Sequence, residues 1–187
     1  MKIKKKSLLI TGGAGFVGSH LTDELIEHEP EKIVIVDNMF LGKEENLEQA
    51  KGFENLKIYH QSASDFEFIK KIIEQEGIEV VFDLAVIPLL TSFDRPKFTF
   101  EEDINIPLIL CELLREDYYE TLIHYSSAEA YGPAQYIPMD EGHPLRPKNP
   151  YGAAKAAADL LIMSYISTFD IDATILKLFN QYGSRQN

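Results

Sequence analysis

A tyrosine and a lysine four positions apart are the residues whose spacing most directly indicates catalysis. Tyr151 and Lys155 stand at the start of a helical pattern, and positions i and i+4 share one helix face. A free phenol titrates near about pH 10, and a neighbouring cation favours the phenolate. We therefore predict that Lys155 lowers the pKa of Tyr151, and that a cationic group bound beside the pair adds a second positive charge. Such a tyrosine can take a proton from a hydroxyl group while the carbon-bound hydrogen leaves as hydride.

A serine upstream extends this candidate set. Ser127 lies near the C-terminal end of a predicted strand, where ligands of open α/β sheets bind. There it would hydrogen-bond the same substrate oxygen as Tyr151; the alternative is a turn or capping serine. Glu129, two residues later, is either a further acid/base or a solvated loop carboxylate.

A glycine-rich turn predicts a phosphate-binding site. Gly12, Gly15 and Gly18 stand between an apolar strand and a helix, where they permit a tight turn, close approach to a pyrophosphate and helix–strand packing. Asp37 ends the second strand 19 residues after Gly18, where its carboxylate can accept hydrogen bonds from a ribose. It would repel a 2′-phosphate, which favours NAD over NADP. Asp65 either contacts the adenine or caps the following helix, and the two roles are compatible.

Apolar runs alternate with helical patterns along the chain. The predicted strands are residues 7–11, 33–36, 56–60, 80–84, 121–125 and 173–178, and the predicted helices 16–26, 66–73, 105–115 and 151–169. The order predicts right-handed βαβ units and an α/β fold, a Rossmann-like doubly wound parallel sheet. We expect residues 1–187 to form one NAD-binding domain, with the charged stretch 42–51 as a solvated helix or loop.

Composition restricts the function classes. Among 187 residues, 18 Lys+Arg oppose 30 Asp+Glu, and this net charge of −12 makes nucleic acid and anionic membranes poor partners. The basic cluster at Lys2, Lys4, Lys5 and Lys6 precedes too short an apolar run for a signal peptide, so we read it as a solvated arm. Cys111 is the single cysteine, and no Cys/His spacing indicates a metal. We expect a cytoplasmic protein without a membrane span.

Taken together, the motifs identify a resemblance. The sequence resembles the extended short-chain dehydrogenase/reductase superfamily, in its NAD-dependent nucleotide-sugar epimerase/dehydratase/decarboxylase branch. The segments that carry the resemblance are 11–18, 37–38, Asp65, 84–85, 126–132, 151–155 and 179–186. They span nearly the whole chain in the expected order. Asp83-Leu84-Ala85-Val86-Ile87-Pro88 departs from the usual His-x-Ala-Ala pattern.

The resemblance implies roles for individual residues. It implies a catalytic triad of Ser127, Tyr151 and Lys155, with Asn180 near the nicotinamide or the substrate phosphates and Ser127 also touching substrate. The residues implied to hold NAD are Gly12, Gly15, Phe16, Val17, Gly18, Asp37, Asn38, Asp65, Phe66, Leu84, Ala85, Tyr151 and Lys155.

The same resemblance implies transient oxidation of a sugar C4 hydroxyl on a UDP- or dTDP-sugar. Dehydratase-like members carry an Asp-Glu pair where this chain has Ala128-Glu129, and alanine cannot donate a proton. An epimerase or a UDP-glucuronate decarboxylase is therefore favoured over a dTDP-glucose 4,6-dehydratase. A non-catalytic NAD-binding module remains the alternative.

Relatives continue past the last motif into a smaller C-terminal substrate domain, which we expect to be absent from this chain. We favour a fragment of a longer enzyme over a short protein with another role. Relatives also dimerise through two helices, which correspond here to 105–115 and 151–169, so a homodimer is expected.

Overall fold

A single parallel sheet forms the centre of the molecule. The computed structural model describes residues 3–186, and its six strands are all parallel in the order β3-β2-β1-β4-β5-β6. The strands are β1 (Ser7–Thr11), β2 (Lys32–Val36), β3 (Leu56–Tyr59), β4 (Val80–Asp83), β5 (Thr121–Ser127) and β6 (Ala173–Leu178). This order reverses direction between β1 and β4, which is the doubly wound arrangement that the sequence predicts.

Five helices connect the strands. They are α1 (Phe16–Ile26), α2 (Phe66–Glu76), α3 (Leu89–Asp94), α4 (Pro96–Arg115) and α5 (Pro150–Phe169). Because alternate strand residues point to opposite faces, the sheet has two apolar layers. Leu9, Val34, Val81 and Leu122 join the cluster that includes residues of α2, α4 and α5, whereas Leu8, Ile33, Phe82 and Ile123 join the cluster on the α1 face.

The strand register brings the chemically important residues to one edge. Thr11 pairs with Val36 on one side and with Asp83 on the other, and Asp83 pairs in turn with His124. Ser127 is the last residue of β5 and pairs with Leu178. The carboxyl ends of β1, β2, β4 and β5 therefore lie at one edge of the sheet, around the point between β1 and β4 where the strand order reverses. Open α/β sheets bind ligands at this position.

The helix predicted at 105–115 is longer than expected. It begins at Pro96, whose fixed φ suits the first turn, and it runs through Pro107; the short helix α3 precedes it. The pattern underestimates this element because Asp103, a charged residue, occupies a core-facing position among Thr99, Ile106 and Leu110. No described helix, within residues 3–186, has the length and apolar character that crossing a membrane requires.

Two charged segments are partly solvated. In the stretch 42–51 all five charged residues are exposed, as predicted, and two short 3-10 helices, Glu44–Leu47 and Ala50–Gly52, bury Asn46, Leu47 and Ala50. In the basic cluster, Lys4 and Lys5 are exposed, but Lys6 forms ion pairs with Glu79 at 2.7 Å and Glu120 at 2.6 Å. Lys2 lies outside the described residues.

Candidate functional site

The glycine turn between β1 and α1 is built for close approach. Gly12 has φ of +67°, a left-handed conformation that favours glycine, and a Cβ there would lie 2.8 Å from the backbone of Leu84 and Ala85. A Cβ at Gly18 would collide with the Gly12 carbonyl. Gly15 is the N-cap residue of α1, and no side chain caps this helix. The N–H groups of its first turn therefore remain available to an anionic ligand.

Asp37 ties the end of β2 to this turn. Its carboxylate accepts the Ala14 N–H at 3.0 Å and the Met39 N–H at 2.9 Å, one on each oxygen. The residue is 7% exposed, and burial raises the pKa of its carboxyl, against the lowering effect of the two backbone hydrogen bonds. Each carboxylate oxygen has a second lone pair, so Asp37 can still accept hydrogen bonds from a ribose.

A cavity of about 380 Å³ lies at this edge of the sheet and unites most of the predicted residues. The sequence-predicted residues that line it are Gly12, Gly15, Phe16, Val17, Gly18, Asp37, Asn38, Leu84, Ala85, Ser127, Tyr151 and Lys155. The glycine turn and the Tyr-Lys pair, separated by more than 130 positions in the chain, therefore face one space.

The start of α5 holds Tyr151 beside Ser127. Asn149 caps the helix by accepting the Gly152 N–H at 2.7 Å, and Pro150 occupies the first turn. A Cβ at Gly152 would lie 2.6 Å from the Glu129 carbonyl oxygen, so the helix start packs directly on the turn after β5. The Ser127 hydroxyl also accepts the Glu129 N–H at 3.2 Å, so the serine caps that turn as well as facing the cavity.

Burial opposes the effect expected of Lys155 on Tyr151. Burial raises the pKa of the Tyr151 phenol, Asp103 and Glu129 raise it further, and the hydrogen bond with Ser127 acts in the lowering direction. Lys155 is 3% exposed, and burial lowers the pKa of its ammonium group, while Asp83, Asp103 and Asp159 raise it. The prediction considered only positive charges beside Tyr151 and omitted the desolvation of both groups and the carboxylates that face them.

Glu129 lies outside the lining of this cavity. Its carboxylate accepts a hydrogen bond from the Asn149 amide at 2.7 Å, and its residue is half-buried. The same asparagine caps α5, so Glu129 supports the helix start that carries Tyr151. This contact gives Glu129 a structural role that neither of its two predicted alternatives included.

Three further predicted residues lie at the margin. Asp65 caps α2 by accepting the Phe68 N–H at 3.1 Å, as one of its two predicted roles required. Asp65 and Phe66 do not line the cavity, although Ser62 and Ala63 just before them do. Asn180 is exposed and also lies outside the lining, which includes Leu178, Phe179 and Gln181 from the same segment.

A buried polar cluster beneath Lys155 was missed by the sequence reasoning. Asp83 accepts a hydrogen bond from the Thr11 hydroxyl at 2.8 Å and lies 2.7 Å from His124 Nδ1. Asp159 accepts a hydrogen bond from Ser126 at 2.9 Å and forms an ion pair with Lys177. Helical spacing could have indicated these carboxylates. Asp159 lies four positions after Lys155 and Asp103 four after Thr99, each on the core-facing side of its helix.

These observations fit a dinucleotide. The glycine cradle has no room for a Cβ at two of its positions, the helix N-terminus faces the cavity, and a buried carboxylate stands at the end of β2. Each feature corresponds to one part of such a ligand, the pyrophosphate for the first two and the ribose for the third.

Comparisons with known proteins agree with this geometry. A sequence model of the family described as GDP-mannose 4,6 dehydratase matches residues 9–187. The human dTDP-D-glucose 4,6-dehydratase is 32% identical over 187 residues, which cover 97% of this chain and 53% of that protein. The UDP-glucose 4-epimerase of Thermotoga maritima, solved with UDP-glucose, has a TM-score of 0.88 at 33% identity over 97% of this chain and 58% of its own.

A third similar structure is the dTDP-glucose 4,6-dehydratase of Streptomyces venezuelae, solved with NAD bound. Its TM-score is 0.90 at 26% identity, covering 96% of this chain and 57% of that one. The chain thus spans a little over half the length of the relatives it matches.

Proposed function

Since this chain belongs to the GDP-mannose 4,6 dehydratase family, in the nucleotide-sugar epimerase/dehydratase branch of the extended short-chain dehydrogenase/reductases, we propose that it binds NAD and carries the catalytic groups for transient C4 oxidation of a nucleotide sugar. The observation that carries the proposal is the single cavity lined both by Gly12, Gly15 and Gly18 and by Ser127, Tyr151 and Lys155.

The residues proposed to hold NAD divide by the part of the molecule they suit. The turn and the first residues of α1 suit the pyrophosphate, and Asp37 with Asn38 suits the adenosine ribose. Leu84, Ala85, Tyr151 and Lys155 also line the cavity, and we assign them to the nicotinamide half. When bound, NAD supplies the hydride acceptor and, in the reverse step, the hydride donor.

The chain's own groups account for the proton. Tyr151, as phenolate, takes the proton from the C4 hydroxyl, and Ser127 hydrogen-bonds the same oxygen as it becomes a carbonyl. Because burial raises the pKa of the Tyr151 phenol, the phenolate requires positive charge, which Lys155 in the same cavity and the oxidised nicotinamide of NAD would supply. Return of the proton from Tyr151 to the carbonyl oxygen completes the cycle.

Among the chemistries of this branch, we favour 4-epimerisation. Elimination of a C6 hydroxyl needs an additional acid, and Ala128 cannot supply one. Glu129 is engaged with Asn149 and lies outside the cavity lining, which also weakens the decarboxylase alternative. An epimerase needs neither side chain, because the ketone only has to rotate and accept hydride on its other face. UDP- and dTDP-sugars are the proposed substrates, and a homodimer the proposed assembly.

The test combines binding with turnover. The chain with added NAD is incubated with UDP- and dTDP-hexoses and with UDP-glucuronate, and products are identified by mass spectrometry and NMR. Conversion at constant mass supports epimerisation. Loss of CO₂ supports the decarboxylase alternative and loss of water the dehydratase alternative, and either result overturns the proposal of epimerisation.

A pair of variants separates the catalytic role from the fold. Tyr151→Phe is expected to retain NAD binding by calorimetry and to lose turnover by at least about 100-fold. Tyr118→Phe, at the other end of the sheet, is the control and keeps both. Full turnover in Tyr151→Phe refutes the mechanism. Bound NAD with no turnover in the unmodified chain supports the second candidate, an NAD-binding module without chemistry.

A further inference from the structure

The loop after β4 forms a wall of the cavity and is held at two points. Residues 84–88 all line the cavity. At its start, the Thr11 hydroxyl oxygen accepts the N–H groups of Leu84 and Ala85, both at 3.1 Å. Near its end, the Asp103 carboxylate accepts the Ile87 N–H at 2.7 Å. Thus one side chain of α4 fixes the part of the wall that Thr11 does not reach.

Asp103 carries a negative charge that the hydrogen bond to the loop does not require. Asp103 is 2% exposed, and its second oxygen, Oδ2, is buried without a hydrogen-bond partner among the described residues. A neutral amide would accept the same N–H without the cost of burying a charge. The negative charge on the unpaired Oδ2 is therefore free to act on Lys155, a buried cation on the neighbouring helix α5, whose pKa Asp103 raises against the lowering effect of burial.

Building on the proposed function, we propose that Asp103 is a positioning residue for the cofactor: its carboxylate holds loop 84–88 against the bound dinucleotide, and its negative charge stabilises the ammonium form of Lys155. Neither the glycine motif nor the Ser-Tyr-Lys set includes this residue. From its place on α4, Asp103 contacts the loop that forms one wall of the cavity and also acts on the charge of Lys155, which lines the same cavity.

The charge state of Asp103 changes in the neutral range. Burial raises the pKa of its carboxyl to about 7, while the Ile87 N–H and Lys155 from α5 lower it, and Asp83 from β4 and Glu102 from its own helix raise it. Above this pH the hydrogen bond to Ile87 is charge-assisted, and such bonds are the stronger kind. The wall is therefore held more firmly at pH 8 than at pH 6.

Two measurements on the full chain test the proposal. The first is amide hydrogen exchange of Ile87 by NMR without cofactor, and the second is calorimetric titration with NAD at pH 6 and pH 8. The variants are Asp103→Ala, which removes the acceptor, and Asp103→Asn, which keeps an acceptor oxygen and removes the charge. Glu101→Gln removes a charge from an exposed position of the same helix and is the control.

The expected results differ for each variant. In Asp103→Ala, hydrogen exchange at the Ile87 amide is expected to be at least about tenfold faster, and NAD binding about tenfold weaker, than in the unmodified chain. Asp103→Asn binds NAD about threefold more weakly than the unmodified chain at pH 8 and equally at pH 6. Glu101→Gln matches the unmodified chain in both measurements.

Other outcomes overturn specific statements. Unchanged Ile87 exchange and NAD affinity in Asp103→Ala refute the anchoring role, and equal affinity of Asp103→Asn and the unmodified chain at both pH values refutes the role of the charge. If Asp103→Ala fails to give a cooperative melt, Asp103→Asn carries the test. If the unmodified chain binds no NAD, the proposed function fails, and the Ile87 exchange still decides whether Asp103 anchors the loop.

Discussion

The Asn149 side chain joins Glu129 to the first turn of α5. Its amide nitrogen donates to the Glu129 carboxylate at 2.7 Å, while its amide oxygen accepts the Gly152 N–H at 2.7 Å. One side chain therefore caps the helix that carries Tyr151 and fixes the carboxylate two residues after Ser127. Because this contact holds Glu129 at the helix start, we propose that its role is structural.

The first prediction concerns this carboxylate. Glu129→Gln keeps an oxygen that can accept the Asn149 hydrogen bond but removes the proton-transfer chemistry, so we expect turnover of the nucleotide sugar to change by less than about threefold. Steady-state kinetics measure this change in turnover, with whichever of the UDP- and dTDP-sugars the chain is found to convert. A loss of more than about 100-fold would instead give Glu129 an acid/base role and favour elimination or decarboxylation.

The second prediction concerns the phosphate cradle. Gly15 has φ of −75°, which alanine adopts without strain, and an added Cβ would lie 3.2 Å from the Gly12 carbonyl oxygen. We expect Gly15→Ala to keep its melting temperature within a few degrees and to weaken NAD binding at least about tenfold, because the methyl group occupies space next to the pyrophosphate. Gly52→Ala adds its methyl group where no atom lies within 4 Å and serves as the control. Equal NAD affinities for the two variants would argue against the cradle.

The third prediction concerns cofactor choice. Asp37 is a buried carboxylate at the end of β2, and its charge repels a 2′-phosphate. Asp37→Asn removes this repulsion, so the ratio of the dissociation constants for NADP and NAD is expected to fall about tenfold. Titration calorimetry with both nucleotides measures the ratio. An unchanged ratio would mean that another group excludes the 2′-phosphate.

Much of the fold follows from local patterns in the sequence. The strands at 7–11 and 173–178 and the helix at 16–26 have the predicted bounds, because short apolar runs and the glycine turn mark their ends. The start of α4 was missed because Asp103 interrupts the apolar pattern, although its partner is Ile87, sixteen positions earlier. A local pattern contains no information about that partner.

The candidate site divides in the same way. Motifs with fixed spacing predicted Gly12 to Gly18 and the Tyr151–Lys155 pair, and both line the cavity. The charge environment of that pair was predicted incompletely, because Asp83 on β4 and Asp159 on the next turn of α5 also act on the Lys155 ammonium group. Desolvation and long-range charge depend on the packed structure, so a spacing rule applied to the pair alone omits them.

The last prediction follows from the burial of Asp103. Its carboxyl has a pKa of about 7 in the folded chain, against about 3.9 for a free aspartate, so over this interval the folded state binds a proton that the unfolded state has released. The contribution of Asp103 to the free energy of unfolding therefore decreases as pH rises from about 4 to about 7 and is constant above that.

Asp103→Asn removes this titration. The free energy of unfolding of the variant, minus that of the unmodified chain, is expected to increase by about 2–3 kcal/mol between pH 5 and pH 8. Urea denaturation at pH 5, 6, 7 and 8 measures the difference, and the other titrating groups cancel because both proteins contain them. Glu101→Gln, whose carboxylate is exposed, should give no such trend. Parallel pH profiles for Asp103→Asn and the unmodified chain would show that Asp103 is ionised throughout this range, and the pH dependence expected for NAD binding would then be absent as well.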